Sequence, residues 1–575
     1  DIPRTTRTNK ARAPMLILLA VLVAAGTHSA PLIDTSTWVG AYYQPSQSTN
    51  QAWWAQFDLY KPQIDRELGL IAKAMGFKAL RVFINSMNYF AGPSKLLSDM
   101  ETFLEIADRH GMGTGFVFFD DCFNHAGLNL SQPCMPRKGV HNGCWMASPQ
   151  DWERTTDHTE VFNTVEKFRP YVVDLVTKFK DDRRVIFWET FNEPSNNNFS
   201  RPLPQGPFSW TLRRSAFQWA KDVQPRQPVI ACWGENEATE LNNHHQYALP
   251  WGAVENAIFR NDTGFMRGGV LTEAGARWFE TLPSDVGSPL TVVDWLQRLR
   301  KNPHAPFVPG VFINFECMVG NDNTRWHWLS KPGSNEPAIP WHEHVFPDGT
   351  PVSYTEAGAI RRYVSGNDDF LFFEDFLGGK DNADSAEVFA SLHPGDTFST
   401  TPLHTGDVLV EASIMPSNTT VVSVGLCDSL NTSCWFTRID VANSSLSLLR
   451  SGTHEGEQVL STFNISTLDN GIVIGAWNMV RMRFLDNRAE VWFNPMYPEV
   501  FPEGVPMPGE PPKPIRPMPP RIQLDLGNAS SALSSDNERF SYRVDVVAER
   551  GDANLDYMSV LPPVVYGQHF EPPAQ

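Results

Sequence analysis

Cysteine is scarce in this chain, with seven residues among 575, and no two of them have the C-x-x-C spacing. The helical motif H-E-x-x-H is absent as well. Because closely spaced cysteine pairs and that motif are the sequence marks of protein zinc sites, we predict no metal site.

Positive charge is also in short supply, with 47 Lys and Arg against 65 Asp and Glu and a formal net charge of −18. Binding to a phosphate backbone depends on Lys and Arg, so nucleic acid is not an expected partner. Aromatic residues make up 12% of the chain, and exposed aromatic rings suit flat, weakly charged ligands such as sugars.

Long apolar runs are missing except near the N-terminus. Residues 15–26 are apolar, follow four basic residues within 1–14 and precede the small residues of 27–30. This order predicts a secretory signal peptide over residues 1–30, with an uncleaved signal anchor as the alternative. No other run is long enough to cross a bilayer, so we expect a secreted, extracellular chain without a membrane span.

Other features agree with a secretory route. Asn-x-Ser/Thr sequons predict N-glycans at Asn129, Asn198, Asn261, Asn418, Asn431, Asn443, Asn464 and Asn528. In an oxidising compartment, the near pairs Cys134/Cys144 and Cys427/Cys434 are expected to form disulfides. The odd cysteine count leaves at least one thiol free or intermolecular.

Strand-like and helical patterns alternate over the first part of the chain. The apolar run 79–84 is typical of a strand, and a helical pattern spans 165–179 with Pro170 as an expected kink. Eight strands that alternate with helices over about 330 residues are what a (β/α)8 barrel requires. We therefore predict a TIM barrel over residues 31–368.

Strand-like alternation dominates residues 369–575, and convincing helical patterns are absent there. We interpret this part as one all-β sandwich, interrupted by an irregular proline-rich insert at about 496–520. Such a domain either binds glycans or braces the barrel.

The segment Asn192-Glu193-Pro194 closes the fourth predicted strand, and C-terminal strand ends face the active site of a barrel. Asn192 can hydrogen-bond a sugar hydroxyl, and Glu193 can protonate a leaving oxygen. Glu273, which ends the seventh predicted strand, offers a second carboxylate. Carboxyl groups ~5 Å apart act as nucleophile and acid/base and retain the anomeric configuration, whereas ~6.5–9.5 Å implies inversion. Their repulsion is expected to raise the pKa of the acid, Glu193.

Residues 38–365 resemble the clan A glycoside hydrolases, the family-five-like cellulase and xylanase group. The resemblance rests on Asn192-Glu193-Pro194, Leu80-Arg81-Val82-Phe83, Phe119-Asp120-Asp121-Cys122, the loop 139–143, His245-x-Tyr247, Thr272-Glu273 and the segment 340–351. It implies a retaining β-glycosidase with Glu193 as acid/base and Glu273 as nucleophile. The β-rich part is similar to the laminin-G or lectin-like sandwiches that accompany some glycosidases, galactocerebrosidase among them.

Two departures from the family pattern matter. Ala274 and Gly275 follow the nucleophile glutamate, where the family usually has an aromatic residue. Glu316, on the eighth predicted strand, is an alternative nucleophile, although a role in binding a sugar hydroxyl suits it better.

Other residues are expected to support the two glutamates. We expect Arg81 to orient the nucleophile carboxylate, and Glu189, deeper on the strand of Glu193, to need a basic partner. Asp120 and Asp121 should point to opposite faces of their strand. The predicted substrate-binding residues are Arg81, Asn192, His141, His245, Tyr247, Trp233, Glu316 and Trp326.

The leading hypothesis is a secreted retaining β-glycosidase that acts on a β-linked glycan or glycoside and needs no cofactor. One alternative is a catalytically silent glycan-binding or cell-wall structural protein on a retained barrel. Another is a glycolipid hydrolase resembling galactocerebrosidase, which needs an apolar flank beside its pocket.

Overall fold

The structure is a computed structural model of the chain. It describes residues 32–122, 130, 134–157, 159–196, 206–233, 238–247, 251–259, 267–277, 290–366, 372–374, 390–395, 397–399, 408–428, 433–452, 456–485, 488–507, 510–526 and 542–561. The predicted signal peptide and the predicted boundary at 368/369 lie outside these residues, so both stay predictions. Within the described residues, no helix is both long and apolar enough to cross a membrane.

The first part of the chain forms a parallel barrel. Its strands are β1 (Val39–Tyr42), β2 (Ala79–Phe83), β3 (Gly113–Asp120), β4 (Val185–Asn192), β5 (Val229–Ile230), β6 (Asn242–Gln246), β7 (Gly269–Ala274) and β8 (Gly310–Glu316). They are ordered β5-β4-β3-β2-β1-β8-β7-β6, so that β1 lies between β2 and β8. The Glu240 amide donates to the Val229 carbonyl at 2.9 Å and links β5 to the segment that enters β6. The predicted (β/α)8 barrel is confirmed.

Helices cover the barrel at its outer surface. In the described residues they are α1 (Phe57–Met75), α2 (Ser86–Ala91), α3 (Pro93–Arg109), α4 (Val161–Glu166), α5 (Arg169–Phe179), α6 (Gly206–Asp222), α7 (Trp251–Phe259), α8 (Leu290–Lys301) and α9 (Tyr354–Ser365). The expected kink at Pro170 is wrong, because the chain breaks into α4 and α5 and the proline lies in the first turn of α5. A first turn tolerates proline, since its N–H has no helical partner there.

The second part of the chain forms two antiparallel sheets. Their strands are β9 (Phe372–Glu374), β10 (Ala390–Leu392), β11 (Thr397–Ser399), β12 (Val408–Pro416), β13 (Val421–Asp428), β14 (Ser433–Asp440), β15 (Ser445–Gly452), β16 (Gly456–Asn464), β17 (Asn478–Leu485), β18 (Arg488–Phe493), β19 (Ile522–Asp525), β20 (Tyr542–Arg550) and β21 (Ala553–Leu561). One sheet runs β10-β21-β12-β17-β18-β19 with β9 on β21, and the other β11-β20-β13-β14-β15-β16. Alternate apolar residues of both sheets share one core, so the predicted sandwich is confirmed.

The proline-rich segment packs against the barrel. Apart from one turn at Tyr497–Val500, the described residues of 496–520 have no regular structure, as expected. Tyr497 and Phe501 are buried in one apolar cluster with Phe346 of the barrel. The Tyr497 hydroxyl donates to the Ser46 carbonyl at 3.0 Å. The segment therefore joins the two domains.

A buried carboxylate of the sandwich caps the last barrel helix. Glu411, on β12, accepts hydrogen bonds from the backbone N–H groups of Tyr354 and Thr355, both at 3.0 Å. It also accepts from the Ser353 hydroxyl at 2.7 Å and pairs with the buried Arg481 at 2.7 Å. A negative charge at a helix N-terminus accepts hydrogen bonds from N–H groups that have no helical partner. It also interacts favourably with the positive end of the helix dipole.

The cysteines and sequons are placed as follows. Cys134–Cys144 and Cys427–Cys434 form disulfides, which confirms both expected pairs. The other three cysteines, Cys122, Cys232 and Cys317, are free and buried. Three sequon asparagines, Asn418, Asn443 and Asn464, are described and exposed, and the other five lie outside the described residues.

The first prediction concerns the Glu411 cap. Replacing Glu411 by glutamine leaves the Arg481 guanidinium buried without its counter-charge, which we expect to cost about 3 kcal/mol of unfolding free energy. Urea unfolding of the full chain measures this. The control is Glu457→Ala, which removes a solvent-exposed partner of Arg438 in the same sandwich and should cost less than about 1 kcal/mol. Equal losses in the two variants would contradict the capping role.

Candidate active site

The C-terminal ends of the barrel strands bring the titratable side chains together. Glu193 directly follows β4, His245 lies in β6 and Glu273 lies in β7. One oxygen of each carboxylate and one nitrogen of the imidazole all lie within 4.8 Å of one another. The two predicted glutamates thus face each other across the barrel mouth.

Arg81 lies beneath the two glutamates and is completely buried. Its guanidinium donates twice to Glu189, at 2.8 and 2.9 Å, and once to Glu273 at 2.7 Å. A further bond, at 2.7 Å, goes to the Asn192 side-chain oxygen. Arg81 thus contacts the Glu273 carboxylate, as a residue that orients it must, and it is the basic partner that Glu189 was expected to need.

Glu273 is held at both carboxylate oxygens. Arg81 binds one oxygen, and the Tyr247 hydroxyl donates to the other at 2.5 Å. A Cβ atom at position 275 would lie 3.0 Å from the Tyr247 ring, so Gly275 allows this tyrosine to approach. Gly275, one of the two small residues that follow Glu273, therefore has a structural reason to lack a side chain.

Glu193 has a different set of partners. One carboxylate oxygen lies 2.7 Å from Nδ1 of His245. The other accepts from the Cys122 thiol at 3.2 Å and from the Asn196 amide. The backbone of Glu193 has φ 43°, in the left-handed region that non-glycine residues rarely adopt. Such strain is common where the surroundings hold a functional side chain in place.

The neighbours of His245 determine where its protons lie. The Thr272 hydroxyl donates to the Asn243 side chain at 2.6 Å, so towards Nε2 of His245, 2.9 Å away, it can only accept. Nε2 therefore carries a proton. Nδ1 then either donates to an ionised Glu193 or accepts from a protonated Glu193. One proton is shared between the imidazole and the carboxyl group.

The pKa of Glu193 differs from the expectation. Burial alone would raise it, but the hydrogen bond and the charge of His245 hold it below its usual value. Burial raises the pKa of Glu273, although the charges of His245 and Arg81 oppose this. The expected rise at Glu193 is wrong, because the sequence pattern does not show that an imidazole lies between the two carboxylates.

Asp120 supports the site from β3. Its carboxylate accepts from the Asn192 amide at 2.7 Å and from the Trp145 indole at 2.5 Å. Burial nevertheless raises the pKa of Asp120 to about 7. Asp121 points the other way and pairs with Arg154 at 2.5 Å, which confirms the opposite directions of the two aspartates.

A cavity of about 270 Å³ opens above the two glutamates. Its described lining residues are Cys122, His141, Asn142, Trp145, Asn192, Glu193, Asn196, Tyr247, Glu273, Phe315, Trp328, Leu329 and His342. Burial lowers the pKa of His141 to about 4 and that of His342 well below its usual value, so both imidazoles are neutral at neutral pH. The cavity combines aromatic rings with few polar groups, as small-molecule sites do.

Five predicted substrate-binding residues do not line this cavity. His245 contacts the two glutamates but is not part of the lining. Arg81 lies beneath it, and Trp326 lines a neighbouring cavity. Trp233 is half-buried at a strained position, with φ 51°, away from the described lining. Glu316 is buried and accepts from the N–H groups that follow it, and burial beside Asp322 raises its pKa well above the usual value. A carboxyl group that does not line the cavity is poorly placed to be the nucleophile.

Several lining residues were not predicted as site residues. Cys122 and His342 belong to sequence motifs that carried the family resemblance. Those motifs did not assign either residue a role in the site. Asn196, Trp145 and Phe315 had no such signal, since they reach the cavity through loop paths and a bulged strand. Phe315 lies where the backbone of β8 has a positive φ of 59°.

Two clusters in the described part of the chain have metal-ligand chemistry: Glu193 with His245 and Glu273, and Glu189 with Cys232 and His245. In the first, Arg81 and Tyr247 already occupy both oxygens of Glu273. In the second, the two oxygens of Glu189 are bound to Arg81. A guanidinium thus already supplies the positive charge that a metal ion would bring.

No family model matches the sequence, and no curated protein matches it. Solved structures with a similar fold include an endo-1,4-β-D-mannanase from Thermotoga petrophila (13% identity, 57% of this chain and 99% of that one, TM-score 0.35). A GH5_18 protein from Streptomyces cattleya in complex with Manβ1-4GlcNAc is another (11%, 59% and 82%, TM-score 0.36). The carbohydrate-binding module CBM66 from Bacillus subtilis covers 28% of this chain (8% identity, 82% of that chain, TM-score 0.15).

These similarities concern fold and do not identify a substrate. A parallel barrel followed by a β-sandwich is the architecture expected for a clan A glycoside hydrolase with a sandwich domain.

The second prediction concerns the proton shared by His245 and Glu193. Burial lowers the pKa of His245, but Cys232 and the carboxylates of Glu273 and Glu193 together raise it well above its usual value. The shared proton is therefore held to higher pH than on an ordinary imidazole. In His245→Gln, Glu193 must hold the proton alone, and a carboxyl group releases it at lower pH. We therefore expect the basic limb of the kcat/KM–pH profile to move to lower pH.

The matched control is His141→Gln. This residue lines the same cavity but binds the Trp326 carbonyl rather than a carboxylate. Its basic limb should stay where it is in the unmodified protein. A basic limb that does not move in His245→Gln would show that the imidazole does not hold the catalytic proton.

Proposed function

We propose that this chain is a secreted retaining β-glycosidase that hydrolyses a β-linked glycan or glycoside. The observation that carries the proposal is the pair Glu193 and Glu273, with carboxylate oxygens within 4.8 Å in a cavity at the C-terminal end of the barrel. Retaining enzymes have carboxyl groups ~5–5.5 Å apart, whereas inverting enzymes need ~6.5–9.5 Å to admit a water. The short separation favours retention.

The partners of the two carboxylates assign their roles. Glu273 is held by a guanidinium and a phenol, which fix its position and stabilise its anion, as a nucleophile requires. Glu193 shares a proton with His245, as a residue that must give and later take a proton requires. The site therefore supports Glu273 as nucleophile and Glu193 as acid/base.

In the first step, Glu273 attacks the anomeric carbon while Glu193 protonates the departing glycosidic oxygen. The C–O bond breaks, and a glycosyl ester forms on Glu273. The shared proton leaves with the alcohol, so the intermediate holds a Glu193 carboxylate beside a neutral His245 imidazole. In the second step, Glu193 takes a proton from water, which attacks the anomeric carbon and releases Glu273.

Secretion belongs to the proposal as well. The signal-like segment 1–30 and the eight sequons support it. The two disulfides and the exposure of the three described sequon asparagines agree with an oxidising, glycosylating route.

The third prediction tests the reaction. Sugar release from β-glucans, xylans, mannans, galactans and aryl β-glycosides should fall at least ~100-fold in Glu193→Gln and in Glu273→Gln. Glu316→Gln is the matched control, because this third buried glutamate of the barrel does not line the cavity. NMR of the first product should show the anomeric configuration of the substrate.

Three results would contradict this proposal in different ways. An inverted first product would exclude the ester on Glu273. Activity that survives Glu273→Gln but is lost in Glu316→Gln would move the nucleophile to β8. Glycan binding without release from any substrate would favour the silent binding protein.

A further inference from the structure

A second cavity lies next to the proposed active site. Its volume is about 590 Å³, more than twice that of the cavity above the glutamates. Its described lining includes Trp326, Leu329 and Trp341 of the barrel loops, together with Val473, Ala476 and Trp477. The last three belong to the sandwich, so the two domains form this cavity together.

The two cavities adjoin along one short segment. Trp328 lines the cavity above the glutamates, whereas Trp326 and His327 line the second cavity. Leu329, which is 50% exposed, lines both. A ligand that is longer than the first cavity can therefore pass over Leu329 into the second.

The sandwich segment at this cavity is fixed to the barrel loops. Asp469 pairs with Lys138 at 2.5 Å and accepts from the Glu336 backbone at 2.9 Å. The Asn470 amide donates to the Pro337 carbonyl at 3.3 Å. Lys138 lies three residues before His141 of the active-site cavity, so one loop contacts both the sandwich and the proposed catalytic cavity.

The lining favours an uncharged ligand with many hydroxyl groups. Its charges are largely balanced, because Arg325 pairs with Glu336 at 2.8 Å and Arg277 with Glu356 at 2.6 Å. Indole rings, two serines and an asparagine make up much of the rest. Aromatic faces beside neutral hydrogen-bonding groups suit a sugar better than an anion or a cation.

We infer that the second cavity binds the sugar units of a glycan chain that continues out of the active site. The substrate is then an oligosaccharide or polysaccharide rather than a short glycoside, and the sandwich forms part of the cleft. This inference rests on the proposed glycosidase function. Binding energy from contacts with remote sugar units would lower the barrier to reaction at the reacting centre. Long substrates should therefore be cleaved with a higher kcat/KM than short ones.

The fourth prediction uses a substitution that fills the second cavity. In Ala476→Phe the new ring occupies the space where the remote sugar units would lie. We expect the ratio of kcat/KM for cello- or mannohexaose to that for the matching biose to fall roughly tenfold. The matched control is Ile474→Phe, two residues away in the same loop, where the side chain is exposed and does not line the cavity. Its ratio should equal that of the unmodified protein.

A binding measurement separates this inference from the proposed reaction. Calorimetric titration of Glu193→Gln with the same oligosaccharides should give roughly tenfold tighter binding for a hexaose than for its biose, and the added substitution Ala476→Phe should abolish the difference. This readout holds whether or not the chain hydrolyses glycans. Equal affinity for hexaose and biose in both series, or an unchanged difference after Ala476→Phe, would overturn the inference.

Discussion

The guanidinium of Arg81 is the interaction on which the rest of the site depends. A fully buried cation is stable only where anions and hydrogen-bond acceptors surround it. The Glu189 carboxylate balances the charge of Arg81 from deeper in the barrel. The remaining N–H donors of Arg81 then point at Glu273 and Asn192. Because Asn192 in turn binds Asp120, one cation on β2 sets the positions of side chains on three other strands. Burying the guanidinium costs free energy, but it holds the side chains of the site in place, so that no rearrangement is needed before substrate binds.

Charge balance also explains the placement of the acidic proton. Three glutamates and one guanidinium leave an excess of negative charge in a buried space, and His245 is the group that reduces it. A proton held between Nδ1 of His245 and the carboxylate of Glu193 keeps that glutamate ready to act as an acid while Glu273 stays bound to Arg81. Repulsion between the two carboxylates, the effect foreseen from the sequence, contributes to the raised pKa of Glu273, whereas at Glu193 the imidazole outweighs the effect of burial.

The parts of the fold and site that follow local rules could be predicted from the sequence. Strand ends in a barrel point to one face, so the positions of Glu193, His245 and Glu273 followed from their place in three strand patterns. The side on which a loop residue lies follows no such rule. Trp326 and Trp328 are equally aromatic and two residues apart, yet only Trp328 lines the cavity above the glutamates. The Trp326 indole donates to the Asn335 carbonyl at 2.8 Å, a contact between two loop segments that local sequence does not encode.

The contacts between the two domains mean that bracing and binding are not separate roles for the sandwich. Glu411 reaches across the interface to the N-terminus of α9, which leads back from the barrel mouth. Asp469 holds the loops that lead to His141 and Trp326. A contact that fixes these loops stabilises the barrel and also shapes the cleft, since the same backbone segments do both. Selection for stability at this interface would therefore preserve the geometry of the second cavity, whereas loss of the sandwich would remove its wall at Trp477 and leave the helix cap unpaired.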